Sequence, residues 1–246
     1  MIEHHLIVAA LVFLLAGFIK GTTGLGLPAT AIGLLGLMIP PAQAIALTIV
    51  PSFVTNVWQA MAGRHLRELF ARFWPMVGGV CFGIWLGSGL LTKDGSGRGA
   101  IVLGVVLALY AALALSRLQF SVPAVAERWL SPAAGTVTGL LASVTGLNVV
   151  PAVPYLQATG MERDRLVQTL GLFLTASTVA MGANLAHAGI FQLSLAGLSA
   201  ASLLPTLAGV LVGQWVRGRV SEAAFRRCFL VGLFILGSYL ALRAIL

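Results

Sequence analysis

Of 246 residues, 59% are hydrophobic and only 9% charged, with 15 Lys plus Arg against 7 Asp plus Glu for a net charge of +8. Soluble domains carry about 25% charged residues, so this chain lacks the ionic surface of a water-soluble enzyme, a nucleic-acid binder or a secreted disulfide scaffold. The cations fall in short gaps between apolar runs, as topology signals do, and 29 glycines suit close helix packing. The fold class expected is all-α and polytopic, with the lipid bilayer as a partner and nucleic acid excluded.

The first residues, Met1 to His5, carry no basic n-region and lead to no A-x-A site, so no cleaved signal peptide is read. The first apolar stretch, 6 to 39, is too long for one span: 34 residues at 1.5 Å would reach about 51 Å across a ~30 Å core. It must break between Gly17 and Pro28, where four glycines and a proline surround Lys20, and no continuous helix is expected there. Stretches at 42 to 62, 70 to 92 and 99 to 117 follow. The next, 132 to 160, repeats the device with Gly135, Gly139, Ser143-Val144-Thr145-Gly146-Leu147-Asn148, Pro151 and Pro154. Stretches at 165 to 187, 190 to 216 and 224 to 246 complete the chain. The organisation reads as a duplication, residues 1–118 and 131–246 joined by a linker at 119–130, in one transmembrane domain.

Two threadings compete. If each broken stretch crosses once, the Lys and Arg residues divide six against eight between the faces. If each is a hairpin returning to its side of entry, Arg64, Arg67, Arg72, Arg117, Arg128, Arg163, Arg165, Arg217, Arg219, Arg226 and Arg227 share one face. Lys93, Arg98 and Arg243 then lie opposite, with Lys20 at a hairpin tip. Cytoplasmic loops collect the basic residues, so the hairpin threading is preferred. It makes the two halves inverted repeats with both termini outside.

Inverted repeats with a broken element in each half point to a secondary transporter with a midplane site. Irregular backbone at membrane depth survives only inside protein or beside water. Returning helices starting near Gly26-Leu27-Pro28 and Asn148-Val149-Val150-Pro151 would bring amides and positive dipole ends together at the centre, favouring an anion. Candidate substrate-binding residues are therefore Lys20, Gly21, Thr23, Gly24 and Gly26 on one tip and Thr145, Gly146 and Asn148 on the other. From neighbouring stretches Asn56, Gln59 and Gln168 join them. Lys20 either faces the permeating anion or snorkels to the surface; no acid falls inside an apolar stretch to pair with it.

Ser52, Thr55, Asn56 and Gln59 make one polar stripe at helical spacing, facing protein or a pore. The hydroxyls read first as bonded to backbone, and Trp58, Trp74, Trp129 and Trp215 as an aromatic belt. Cys81 and Cys228, 147 residues apart, read as small buried apolar residues. No catalytic residue, metal site or cofactor is expected: HExxH, the phosphate-cradling glycine loop and the nucleophile elbow are all missing.

Gly17, Gly21, Gly24, Gly26 and Pro28, then Pro51-Ser52-Phe53-Val54-Thr55-Asn56-Val57-Trp58-Gln59, resemble the first half of the sulfite exporter TauE/SafE family. Gly135, Gly139, Thr145-Gly146, Pro151 to Gln157, Gln214 and Phe225-Arg226-Arg227 resemble its second half. The resemblance covers essentially the whole chain. Many members have three successive glycines at each tip, where this chain has Gly24-Leu25-Gly26-Leu27 and Gly146-Leu147-Asn148. It implies export of sulfite, a sulfonate or another sulfur-containing or organic anion across a bacterial inner (cytoplasmic) membrane. The residues themselves support only a small anion. A channel-like conduit and, less favoured, a membrane enzyme or assembly factor stay open, as do coupling and a homo-oligomer.

Overall fold

The computed structural model describes residues 2–88, 98–116, 121–217, 219 and 222–243; Lys93, Asp94 and Arg117 lie outside them. The chain begins with α1 (Ile2–Thr23), α2 (Leu27–Leu35), α3 (Pro41–Met61), α4 (Leu66–Leu86) and α5 (Arg98–Leu115). It continues with α6 (Ala124–Thr145), α7 (Ala152–Ala158), α8 (Arg163–His187), α9 (Leu193–Ala201), α10 (Leu203–Arg217) and α11 (Glu222–Arg243). Among the described residues, six segments are long and apolar enough to cross a bilayer: Leu6–Thr23, Pro41–Met61, Leu66–Leu86, Arg163–His187, Leu193–Arg217 and Phe225–Arg243. The protein is an all-helical polytopic membrane protein. Trp58, Trp74, Trp129 and Trp215 are all exposed on its outside. Cys228 is exposed too, contrary to the buried place expected of it.

The first break is narrower than the sequence predicts. Helix α1 continues through Gly17, Lys20 and Gly21 to Thr23, and only Gly24 to Gly26 are non-helical. Lys20 thus occupies the last turn of a helix rather than a loop. Packing is the reason. A Cβ on Gly17 would lie 2.1 Å from the Thr206 carbonyl oxygen, and one on Gly21 would lie 2.3 Å from that of Val210. These glycines let α1 lie backbone to backbone on α10. In lipid there is little hydrophobic drive for helices to associate, so close contact of this kind does the holding. Gly135 and Gly139 do the same for α6 against α4, 2.2 Å from the Met76 oxygen and 2.3 Å from that of Val80, and α6 likewise runs unbroken to Thr145.

Three contacts decide the threading. The Val122 amide donates to the Ala158 carbonyl at 2.8 Å, so the chain after α7 returns to where α6 began. Arg165 donates to Glu68 at 2.8 Å, and Arg243 to the Leu37 carbonyl at 3.3 Å. Single crossings would put each of these partners on opposite faces; hairpins put them together. The returns are unequal: α2 has 9 residues but α7 only 7, so much of the second return is the non-helical chain from Gly146 to Pro151.

The helix pairs follow a repeated scheme. Helix α1 lies on α10 and α6 on α4, while α3 meets α8 and α5 meets α11. At the α3–α8 crossing a Cβ on Gly171 would be 2.4 Å from the Ala60 nitrogen, and one on Gly182 would be 3.3 Å from Ile49 Cγ2. Those two contacts exchange under the same shift of 122 residues that separates Asn56 from Thr178. Helix α3 carries Pro51, which removes the amide that would bond the Leu47 carbonyl. Ser199 of α9 replaces it, its hydroxyl donating to that carbonyl at 2.9 Å and accepting from the Val50 amide at 3.1 Å.

Candidate functional site

The two breaks share one local design. Gly24 and Gly146 have φ +79° and +72°, a left-handed conformation that favours glycine. Each follows a threonine and precedes a leucine whose amide donates to that threonine's hydroxyl: Leu25 to Thr23 and Leu147 to Thr145, both at 3.2 Å. A glycine is needed at the turn and a short hydroxyl before it, which is why Thr-Gly-Leu stands at both places. Gly26 also has positive φ, +96°, as the residue capping α2, whose first turn holds Pro28.

Thr23, Gly24 and Leu25 form the inner end of a cavity of about 960 Å³. Across it stand Val150 and Pro151 at the approach to α7, with Gln59 of α3 beside them. Three arginines border it: Arg163 at the start of α8, Arg217 at the end of α10 and Arg226 on α11. None of the described residues lining it is acidic. The described lining is thus cationic rather than anionic, and guanidinium is the side-chain group whose paired N–H donors match planar or tetrahedral oxyanions.

One helical turn beyond Thr23 and Gln59, away from the arginines, the polar groups change from cavity lining to a buried layer. Lys20 is 7% exposed and Asn56 2% exposed. The Lys20 ammonium donates to Asn56 Oδ1, and Asn56 Nδ2 donates to Thr178 Oγ1 at 3.3 Å. Thr178 in turn bonds the Leu174 carbonyl at 2.7 Å. Among the described residues no carboxylate forms an ion pair with Lys20. A buried ammonium held by one neutral amide keeps unspent attraction for an anion.

The sequence-predicted residues divide accordingly. Thr23, Gly24 and Gln59 face the cavity, and Lys20 with Asn56 form the layer just past it. Gly21 is committed to the α10 seam. Gly26 abuts Ile19 and Phe229, a Cβ there lying 3.0 Å from each. Thr145, Gly146 and Asn148 do not line the cavity: Gly146 packs on Ile45 and Ile32, 2.6 and 2.7 Å from a Cβ placed there. Asn148 is buried with Oδ1 lacking a partner. Gln168 is occupied at both ends, donating to the Ala60 carbonyl at 2.8 Å and accepting from the His65 amide at 3.1 Å. It lines a smaller cavity of about 350 Å³ with Gln59, Arg64, His65 and Asp164.

The expected site omitted the three arginines. In the sequence they serve as topology signals, and nothing in their spacing along the chain joins 163, 217 and 226 to one cavity. The family profile of the sulfite exporter TauE/SafE matches residues 9–240. No curated protein and no solved structure matches the chain.

Proposed function

The chain belongs to the sulfite exporter TauE/SafE family, and on that premise we propose that it is a secondary transporter exporting a small anion, sulfite, a sulfonate or a related organic anion, through the arginine-bordered cavity. The observation that carries the reading is the cavity itself: three arginines at its border, no acid among the described residues of its lining, and a buried lysine one turn past its end.

Anions are drawn from the cytoplasm by the local positive field. They reach Thr23, Gly24 and Gln59, where Lys20 contributes its charge from behind. The Lys20–Asn56–Thr178 layer closes the path beyond. Asn56 and Thr178 are related by the shift of 122 residues and bonded to each other, which supports an axis between inverted repeats, 1–118 and 131–246, passing through this layer. Opening the layer outward while the cavity closes is the alternating-access step that such symmetry permits. An inside-negative potential is worth about 2.3 kcal/mol per charge per 100 mV, so export of an anion runs downhill. The excess of arginines on the hairpin-return face of α6 and α7 supports a cytoplasmic assignment for it, in a bacterial inner membrane with both termini outside.

The reading is tested on purified protein by thermal-shift screening of sulfite, thiosulfate, sulfoacetate and simple carboxylates, followed by counterflow of a stabilising anion in proteoliposomes. Saturable counterflow is expected. Flux without saturation or counterflow would make the protein a channel, and chemical turnover without net flux a membrane enzyme.

A further inference from the structure

The two Thr-Gly-Leu turns share a backbone conformation but stand in opposite surroundings. A Cβ placed on Gly24 would meet nothing within 4 Å, whereas one on Gly146 would lie 2.6 Å from Ile45 Cγ1 and 2.7 Å from Ile32 Cδ1. The shift of 122 residues that carries Asn56 to Thr178 also carries Gly24 to Gly146. Under the same shift Ile45 becomes Val167 and Ile32 becomes Pro154, and both of those line the cavity in front of Gly24. Each turn thus faces an equivalent pair of residues, in contact at one turn and held off by the cavity at the other. Burial divides the same way. Thr145, Gly146, Leu147, Ile32 and Ile45 are all buried, while Thr23, Gly24, Leu25, Pro154 and Val167 are all half-buried. Asn148, two residues past Gly146, adds an independent sign. Its Oδ1 is buried without a donor, an arrangement that is costly unless water or a ligand reaches it.

We propose that the protein holds a further anion cavity, shut in this structure, which opens to the opposite side of the membrane between Gly146, Asn148, Ile32 and Ile45. Ile32 and Ile45 are its gate, and Pro154 with Val167 are the gate of the arginine-bordered cavity. When Pro154 and Val167 close on Gly24, Gly146 is released from Ile32 and Ile45 and Asn148 gains its missing donor. Apolar packing given up on one side is recovered on the other, so the two arrangements stay close in free energy. This inference rests on the anion-transport reading and names the residues through which the second opening forms.

The test uses the full chain with Cys81 and Cys228 replaced by serine, in right-side-out and inverted vesicles, and an impermeant maleimide. Val167→Cys should be labelled from the side of the arginines, and Ile45→Cys more slowly from the other. Tryptophan at position 32 has no room beside Gly146 and should hold the shut cavity open. Ile32→Trp should therefore raise the labelling rate of Ile45→Cys about tenfold and lower that of Val167→Cys about tenfold. Disrupted local packing would give the rise without the fall, and that result would overturn the proposal. Should Ile32→Trp fail to fold, Val167→Trp fills the open cavity instead and should cut labelling of Ile45→Cys about tenfold; an unchanged rate would overturn the proposal. Anion counterflow by a protein whose two labelling rates vary independently would refute the gates and leave transport standing. Reciprocal labelling in a folded protein that moves none of sulfite, thiosulfate, sulfoacetate or simple carboxylates would sink the transport reading and leave the gates.

Discussion

Replacing Lys20 by methionine isolates the charge behind the cavity. Thr23, three residues beyond Lys20 on the same helix, and Gly24 just past its end line the cavity, at an axial distance of about 6 Å. At that separation a unit charge and a monovalent anion attract by about 3 kcal/mol if the effective dielectric constant is about 20. Lys20→Met should therefore weaken anion binding roughly a hundredfold. The fold should survive, because methionine fills most of the same volume and a buried charge is removed. Asn56→Leu should do the opposite. It strands the ammonium without its amide partner and lowers stability by about 1–3 kcal/mol, and Lys20→Met/Asn56→Leu should recover most of that loss. Affinity is read by calorimetry with an anion that stabilises the protein, and stability by thermal melting. The control is Arg243→Met, an exposed cation bonded to Leu37 on the far face, which should change affinity less than threefold. If both cations lowered affinity equally, or Lys20→Met changed it less than threefold, the case for Lys20 as the anion's countercharge would fail.

Further tests address packing, the kinked helix and the threading. Gly17→Ala drives a methyl against the Thr206 backbone at 2.1 Å and should abolish the folded protein in a size-exclusion assay. Gly78→Ala, with nothing within 4 Å, should be neutral or raise the melting temperature, as helix propensity favours alanine by up to ~1 kcal/mol. Ser199→Ala leaves the Leu47 carbonyl unbonded and should cost about 1–3 kcal/mol. Pro51→Ala in the same chain restores a backbone amide and should return most of it; a double variant no better than the single would refute the substitution of hydroxyl for amide. In a chain whose Cys81 and Cys228 are replaced by serine, Val125→Cys and Glu162→Cys, exposed positions at the two ends of the second hairpin, should be labelled by an impermeant maleimide from the same side of the membrane. Labelling from opposite sides would exclude the hairpin threading.

Hydropathy and charge reached the class, the breaks and the returns because those features are local or additive along the chain. The Arg165–Glu68 and Arg243–Leu37 contacts join residues that the count of basic residues had already put on one face. The break around Lys20 is shorter than helix propensity predicts for Gly17 and Gly21. What they serve is a contact with α10, some 190 residues away in sequence, and propensity carries no record of that contact. The polar stripe of α3 was legible from its spacing, but its partner was not: only the crossing of α3 with α8 sets Asn56 against Thr178. Likewise the second tip looked like a copy of the first. Its Thr-Gly-Leu turn is indeed equivalent, yet it packs on Ile32 and Ile45 while the first tip opens on the cavity.

The glycine seams have a mechanical consequence. Where two helices touch through bare backbone there are no rotamers to rearrange, so α1 cannot slide on α10, nor α6 on α4, without prising the pair apart. Each hairpin is thereby welded to a helix from the other half of the chain. The crossing of α3 and α8 is of mixed kind, bare backbone where Gly171 meets Ala60 but side-chain hydrogen bonds where Asn56 meets Thr178 and Gln59 the Val167 carbonyl, and only ties of the second sort can be traded one for another in place.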